Sequence, residues 1–271
     1  MYTDYWGFTE KPFQNTPDPR FFYKSPAHEE AYMKLVYAVE QNLGSALLTG
    51  VFGCGKTVLA QLLWDHLPKD RYKMAFINNP QMDYIDLLRN IVRKLKAVEL
   101  PVKKTELSAD YLLEVLGNIL ENNINDGSET VIIIDEAHII SDLHIFEGLR
   151  MLLNFQTQSK FMLTLILIGQ PELRKKIEDI KQLEQRIGMK CCLEAFDENG
   201  VRSYINHRLQ VAGRTDPVFE EGALKVITRY SGGIPRRINR VCDLSLLNAY
   251  GAGAELVNGA MVESSLQGLA V

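Results

Sequence analysis

Gly50-Val51-Phe52-Gly53-Cys54-Gly55-Lys56-Thr57 lies between a short apolar run, Ala46-Leu47-Leu48-Thr49, and a helical stretch over 58–67 that Pro68 closes. The octet fits G-x-x-x-x-G-K-[ST], the pattern of a loop that cradles phosphate. Such a loop has to turn successive backbone N–H groups inward, and side chains at Gly50 and Gly55 would stand in their way. The helix that follows adds its free N-terminal donors and the positive end of its dipole. On this reading Gly50, Val51, Phe52, Gly53, Cys54, Gly55, Lys56, Thr57 and Val58 bind the phosphates of a nucleotide. Lys56 sets a point charge near the β- and γ-phosphates, and the Thr57 hydroxyl is a ligand for magnesium. Cys54 is read as a small filler in a crowded loop rather than a redox group.

Outward from the loop, residues 46–49, 74–77, 131–134 and 163–168 read as strands, and 190–193 as a fifth, shorter one. Residues 27–42, 58–67, 84–97, 111–123 and 145–157 have helical spacing. Strands alternating with helices predict an α/β fold, a three-layer arrangement with a parallel sheet between helices. After Phe196 the pattern becomes helical, over 197–212, 220–230, 235–250 and 256–269, with glycines as punctuation. The expected division is an α/β nucleotide-binding domain over 1–194 and a helical lid over 195–271. Residues 1–27 are dense in aromatics and prolines, which forbids a long helix but favours burial. They read as an extended arm packed on the core, a role compatible with lining a nucleobase pocket.

Val131-Ile132-Ile133-Ile134-Asp135-Glu136 is a continuous β-branched run ending in two acids, as suits the centre of a parallel sheet. Asp135, at the carboxyl end beside the phosphate loop, is placed to hold magnesium through water. Glu136 is placed to orient and polarise an attacking water. Alone, the two acids would serve equally to cap the next helix. Downstream of a phosphate loop they read as a Walker B element. Asp135-Glu136-Ala137-His138 also spells the box of a helicase group, but those helicases need a second core domain that the helical part after Phe196 cannot supply. His138 reads as a local hydrogen-bonding residue.

Three further residues complete the candidate catalytic set of Glu136, Lys56, Gln170, Arg186 and Arg236. Gln170 stands at the tip of the 163–168 strand, where it would touch the γ-phosphate or the lytic water; a glutamine in a proline-marked turn is the plainer alternative. Arg186 precedes the last strand and would face a neighbouring subunit, as an arginine finger does, although an exposed arginine without that duty fits the same place. Lys190 is a weaker candidate for the same task. Gly232-Gly233-Ile234-Pro235-Arg236-Arg237-Ile238-Asn239 starts a helix with proline in its first turn. Arg236 would bind the nucleotide if the helical part folds over it, and a solvated arginine pair is the alternative. Thr57 and Asp135 are the expected metal ligands, and ATP with Mg2+ the expected cofactors.

The chain has 271 residues, 46% apolar and 24% charged, an ordinary globular mix needing no disulfide or metal staple. A net charge of −4 argues against coating nucleic acid by bulk electrostatics. Four cysteines without C-x-x-C spacing argue against a zinc module and fit a reducing cytoplasm. The N-terminus lacks a signal-peptide layout, and the longest apolar runs are too short to span a bilayer.

In order, these motifs resemble those of an AAA+ ATPase: Walker A, Walker B, sensor 1, arginine finger, sensor 2 and helical lid. The opening Tyr5-Trp6-Gly7-Phe8, Lys11-Pro12-Phe13, Thr16-Pro17-Asp18-Pro19 and Ser25-Pro26-Ala27-His28, with Ile168-Gly169-Gln170-Pro171-Glu172-Leu173, is similar to the secretion ATPase family called general secretion pathway protein A. The resemblance implies a cytoplasmic ATPase that hydrolyses ATP at the inner-membrane face of a bacterium and forms a homo-oligomeric ring, such as a hexamer. It also implies a membrane-anchored partner of the general secretion pathway protein B type and a role in assembling the type II secretion complex. Members of that family continue into a transmembrane helix and a peptidoglycan-binding domain, neither of which lies in these 271 residues, so peptidoglycan would be reached only through a domain outside this chain.

Relatives of a different class regulate DNA transposition with the same engine, usually through basic loops that face nucleic acid. Here the stretch 93–104 holds Arg93, Lys94, Lys96, Lys103 and Lys104, and reads as a solvated helix end and loop. The two readings separate cleanly. The secretion reading expects the gene to continue past Val271 with about 20 apolar residues. The transposition reading expects an ATPase rate that rises with DNA and loses that rise steeply with salt.

Overall fold

Strands buried on both faces need apolar side chains on both faces, and the apolar runs of this chain meet that demand. The computed structural model describes residues 2–16, 18–95, 100 and 108–267. Among these, β1 (Ser45–Gly50), β2 (Tyr72–Ile77), β3 (Glu129–Ile134), β4 (Leu163–Gly169) and β5 (Met189–Leu193) form one parallel sheet in the order β2-β3-β4-β1-β5. Every residue of β1 and β4 is buried, whereas on the edge strand β5 Cys191 and Leu193 are buried and Lys190 and Cys192 are exposed. The fifth strand is real and pairs with β1 from Ala46↔Met189 to Gly50↔Leu193. β4 lies between β1 and β3, in register Thr49↔Gly169 on one side and Ile134↔Leu167 on the other.

The helices are α1 (Tyr2–Trp6), α2 (Pro26–Glu40), α3 (Lys56–His66), α4 (Tyr84–Lys94), α5 (Ala109–Asn125), α6 (Leu143–Leu152), α7 (Pro171–Asp179), α8 (Lys181–Glu184), α9 (Glu198–Val211), α10 (Glu221–Ser231), α11 (Pro235–Gly251) and α12 (Gly259–Gln267). The sequence reading placed no helix at α1 or α8, and three further differences have identifiable reasons. Helix α6 starts two residues early, because Asp142 caps it by accepting from the His144 N–H. It also ends early, because Gln156 bridges Phe161 to turn the chain back towards β4. Helix α7 replaces an expected turn, with Pro171 in its first turn where proline costs nothing. Helix α12 begins later than residue 256, because Val257 is held in a bridge to Phe219. The tails of the expected 84–97 and 256–269 helices, and most of the basic stretch 93–104, lie outside the described residues. Arg93 and Lys94 are described and exposed.

By their contacts the described residues form two compact units. One comprises His28–Gly50 and Leu59–Leu193, and its core packs α4, α5 and α6 residues such as Leu88, Leu116 and Phe146 with Leu47, Ile132 and Leu165 of the sheet. The other gathers the described residues of Met1–Ala27, Val51–Val58 and Glu194–Val271 around a separate core. The aromatics of the arm are built into that second core. Trp6 is 1% exposed and its indole N–H donates to the Leu246 carbonyl of α11 at 3.1 Å. Phe8, Phe13 and Phe21 join Ile205, Ile227 and Val241 of the helices.

A buried arginine fixes the arm further. Arg208 of α9 donates to the carbonyls of Pro12 and Gln14 at 2.5 and 2.9 Å and to the Tyr204 hydroxyl at 3.0 Å, with its guanidinium 4.7 Å from the Phe21 ring. The Tyr2 hydroxyl bonds the Asp243 carboxylate. Burial, together with this pairing, pushes the tyrosine far above its ordinary range. Among the described residues no helix is long and apolar enough to cross a membrane.

Trp6→Ala is expected to cost about 3–5 kcal/mol, the usual penalty for emptying a buried aromatic site. Urea unfolding followed by circular dichroism measures it. A loss below about 1 kcal/mol would show that the arm contributes little to the helical core.

Candidate functional site

Because β1, β3 and β4 are parallel, their carboxyl ends share one edge of the sheet, the edge where α/β proteins place their ligands. The phosphate loop leaves β1 there, after Gly50. Asp135 follows β3 and is 2% exposed; its N–H donates to the Ile77 carbonyl and its Oδ1 accepts the Glu136 N–H, both at 2.8 Å. Glu136 adopts a left-handed conformation, φ 54°, which non-glycine residues rarely accept without local compensation. It heads a 3-10 turn over Ala137–Ile139, but its side chain does not cap that turn.

That turn carries His138 to the end of β4. His138 Nε2 lies 2.8 Å from Gln170 Nε2, and its Nδ1 lies 3.4 Å from Glu136 Oε2. Gln170 occupies the N-cap position of α7 and its side chain makes no capping bond, which leaves the amide to His138. Lys176 of α7 pins the turn by donating to the carbonyls of His138 and Ile140 at 2.5 and 2.6 Å. Gly169 permits the close approach, since a Cβ there would meet the His138 backbone nitrogen at 3.1 Å and Leu173 at 2.8 Å.

In the other unit, the loop curls tightly through Gly53 at φ +85° and Gly55 at φ +99°. Cys54 is fully buried, as expected of a filler. Lys56 begins α3, is 5% exposed, and its Nζ donates to the Val51 carbonyl at 3.0 Å. Phe52 stands 56% exposed, with the Arg236 guanidinium 4.8 Å from its ring centre, within cation–π range. Arg236 also donates its backbone N–H to the Gly53 carbonyl at 3.3 Å. The start of α11 therefore rests on the loop, and a Cβ at Gly53 would meet Arg236 Cβ at 2.8 Å. The motif pattern leaves position 53 unrestricted, so nothing in the sequence flagged this requirement.

Arg186 is half-buried after α8, with its carbonyl accepting the Ser45 hydroxyl at 2.6 Å. Lys190, the weaker finger candidate, is paired with Glu184 at 2.8 Å. No group of three or more His, Cys, Asp or Glu residues among those described could hold a metal ion. Nucleotide-bound magnesium is usually held by one or two protein oxygens together with phosphates and water, and the Thr57 hydroxyl and the Asp135 carboxylate are donors of that kind.

A family model described as an AAA domain matches residues 39–177. The chain is 37% identical over 263 residues to the general secretion pathway protein A of Aeromonas hydrophila; the match covers 96% of this chain and 47% of that protein, so the chain spans about half its length. Among solved structures, the Aeropyrum pernix ORC2 protein in its ADPNP-ADP complexes aligns with TM-score 0.67 at 18% identity, covering 96% of this chain and 72% of that one. CDC6P from Pyrobaculum aerophilum aligns with TM-score 0.68 at 18% identity, covering 91% and 67%. The Thermotoga maritima RuvB Holliday junction branch migration motor aligns with TM-score 0.58 at 19% identity, covering 92% and 72%. At such identities the likeness concerns the fold.

Gly53→Ala is expected to destabilise by about 1–3 kcal/mol, whereas glycine to alanine at a compatible position stabilises by about 0.4–1 kcal/mol. A urea titration measures the joint cost of the left-handed backbone and the contact with α11, and a stabilising shift would contradict both.

Proposed function

We propose, from the premise that this chain belongs to the AAA domain family, that it binds ATP with magnesium and hydrolyses it to ADP and phosphate. The observation that carries the reading is the loop itself. It leaves a wholly buried strand, passes through two left-handed glycines, and starts an eleven-residue helix whose first residue is a buried lysine. An ammonium held among backbone groups at a helix N-terminus is suited to phosphate.

In this reading residues 1–194 serve as the nucleotide domain and 195–271 as its lid. The backbone over 50–58 takes the phosphates, and Lys56 moves from the Val51 carbonyl onto the β- and γ-phosphates. Thr57 and Asp135 would hold magnesium, which when bound offsets charge on the phosphate oxygens. Glu136 orients and polarises the attacking water, Gln170 contacts the γ-phosphate, and Arg236 gives up its stack on Phe52 to follow it. Arg186 steadies transition-state charge across a subunit boundary.

The similarity to general secretion pathway protein A supports a setting for this activity. The chain acts as a homo-oligomeric ring, such as a hexamer formed on ATP binding, at the cytoplasmic face of the bacterial inner membrane. It assists assembly of a type II secretion or related envelope complex with a membrane-anchored partner of the general secretion pathway protein B type. Peptidoglycan is reached only through a domain outside these residues.

Lys56→Ala should weaken Mg·ATP binding roughly ten- to hundredfold, the worth of one or more charge-assisted hydrogen bonds. Glu136→Gln should bind as tightly as the unaltered protein and not turn over. Calorimetry and phosphate release measure the two, and turnover in Glu136→Gln would remove the assigned role of that carboxylate. Arg186→Ala should lower turnover by about a thousandfold. If the arginine acts in trans, mixing inactive Arg186→Ala with inactive Lys56→Ala restores part of the rate; a mixture as dead as its components returns Arg186 to the ordinary surface.

A further inference from the structure

We propose that His138 is a positioning residue that links Gln170 to Glu136, so that the amide facing the γ-phosphate and the carboxylate facing the attacking water are set by one imidazole. The inference rests on the hydrolytic reading above and deepens it, because neither motif pattern assigns His138 a part.

The geometry leaves the imidazole little choice. Its two nitrogens face two different candidate catalytic side chains, Nε2 towards the Gln170 amide at 2.8 Å and Nδ1 towards the Glu136 carboxylate at 3.4 Å. A neutral imidazole carries one N–H and one lone pair, so the two contacts fix each other. If Nε2 carried the hydrogen, the Nδ1 lone pair would point at a carboxylate and the contact would be repulsive. If Gln170 donates to Nε2, the hydrogen sits on Nδ1 and points at Glu136 Oε2, and every contact is favourable. That second state is the one the amide orientation gives, with Gln170 Nε2 facing the ring.

The backbone that carries the ring is pinned on two sides. Lys176 holds the His138 and Ile140 carbonyls, and Gly169 lets the end of β4 come against the His138 backbone. The His138 side chain is 14% exposed and that of Glu136 33%, so the carboxylate is the more open partner. Nδ1 is buried, and no hydrogen bond within normal reach satisfies it. A shift of the carboxylate by a few tenths of an ångström would bring 3.4 Å into the ordinary N–H···O range. When Gln170 turns to a γ-phosphate, Nε2 loses its donor and one of the two contacts that favour Nδ1–H goes with it, so the hold on Glu136 weakens.

The test is a double-mutant cycle on the full chain, read by steady-state kinetics and by calorimetry with a non-hydrolysable ATP analogue. His138→Ala should lower kcat by about ten- to hundredfold, as loss of an orienting partner does, with KM and analogue affinity within about twofold of the unaltered protein. Gln170→Ala should lower kcat as well, and the double variant should be no slower than the slower single one. His138→Asn, which retains a donor near the Nδ1 position, should recover most of the loss, and His138→Gln should not. Unchanged kcat in His138→Ala, or a double loss equal to the product of the single losses, overturns the link.

A second readout does not depend on turnover. Imidazole 15N shifts of the nucleotide-free protein, assigned with His138→Asn, should show His138 as the Nδ1–H tautomer, and Gln170→Ala should move it towards Nε2–H. An Nε2–H tautomer in the unaltered protein overturns the link whatever the kinetics show. Turnover by Glu136→Gln overturns the hydrolytic reading, a failure distinct from the other two.

Discussion

Everything catalytic proposed for this chain hangs from the pairing of β4 with β1 on one side and β3 on the other. β1 and β4 are buried along their whole length, so both faces of each strand are packed and a shift in register would disturb all of those contacts at once. The register Thr49↔Gly169 and Ile134↔Leu167 therefore fixes where Gly50, Asp135 and Gln170 leave the sheet. The segments that follow these three positions leave from one edge of the sheet, and Glu136 takes a left-handed backbone just beyond it.

The second unit is organised by a different constraint. A helical array of about 75 residues has a small core, and the arm adds Trp6, Phe8, Phe13 and Phe21 to it. Each such side chain contributes on the order of 1.5–3 kcal/mol when fully buried. Arg208 makes the arm's path specific, since its guanidinium would be costly in the interior without the Pro12 and Gln14 carbonyls that it satisfies. The same unit holds the phosphate loop against the start of α11 through Gly53, Phe52 and Arg236. The loop and the helix start thus touch directly rather than through a chain of intermediaries.

Local chemistry was legible in the sequence and non-local geometry was not. The loop over 50–57 and the run Val131-Ile132-Ile133-Ile134-Asp135-Glu136 declare themselves because glycine spacing and a β-branched run ending in acids follow from backbone rules. The place of β4 between β1 and β3 depends on pairing between residues more than thirty positions apart, which no local pattern records. Helix α7 has no counterpart in the sequence reading, which offered a turn there only as an alternative, because Pro171 punctuates both turns and first helical turns. The aromatics of residues 2–21 announced burial, but not that their destination was the helical core. The reach of Lys176 to two carbonyls and the stacking of Arg236 on Phe52 are tertiary contacts with no sequence signal at all.

The most direct test of the account is a crystal structure grown with magnesium and a non-hydrolysable ATP analogue. The account predicts the triphosphate inside the 50–58 loop, Lys56 Nζ withdrawn from the Val51 carbonyl onto the β- and γ-phosphates, and the metal between Thr57 and Asp135. An analogue bound elsewhere, with Lys56 still on Val51, would contradict it.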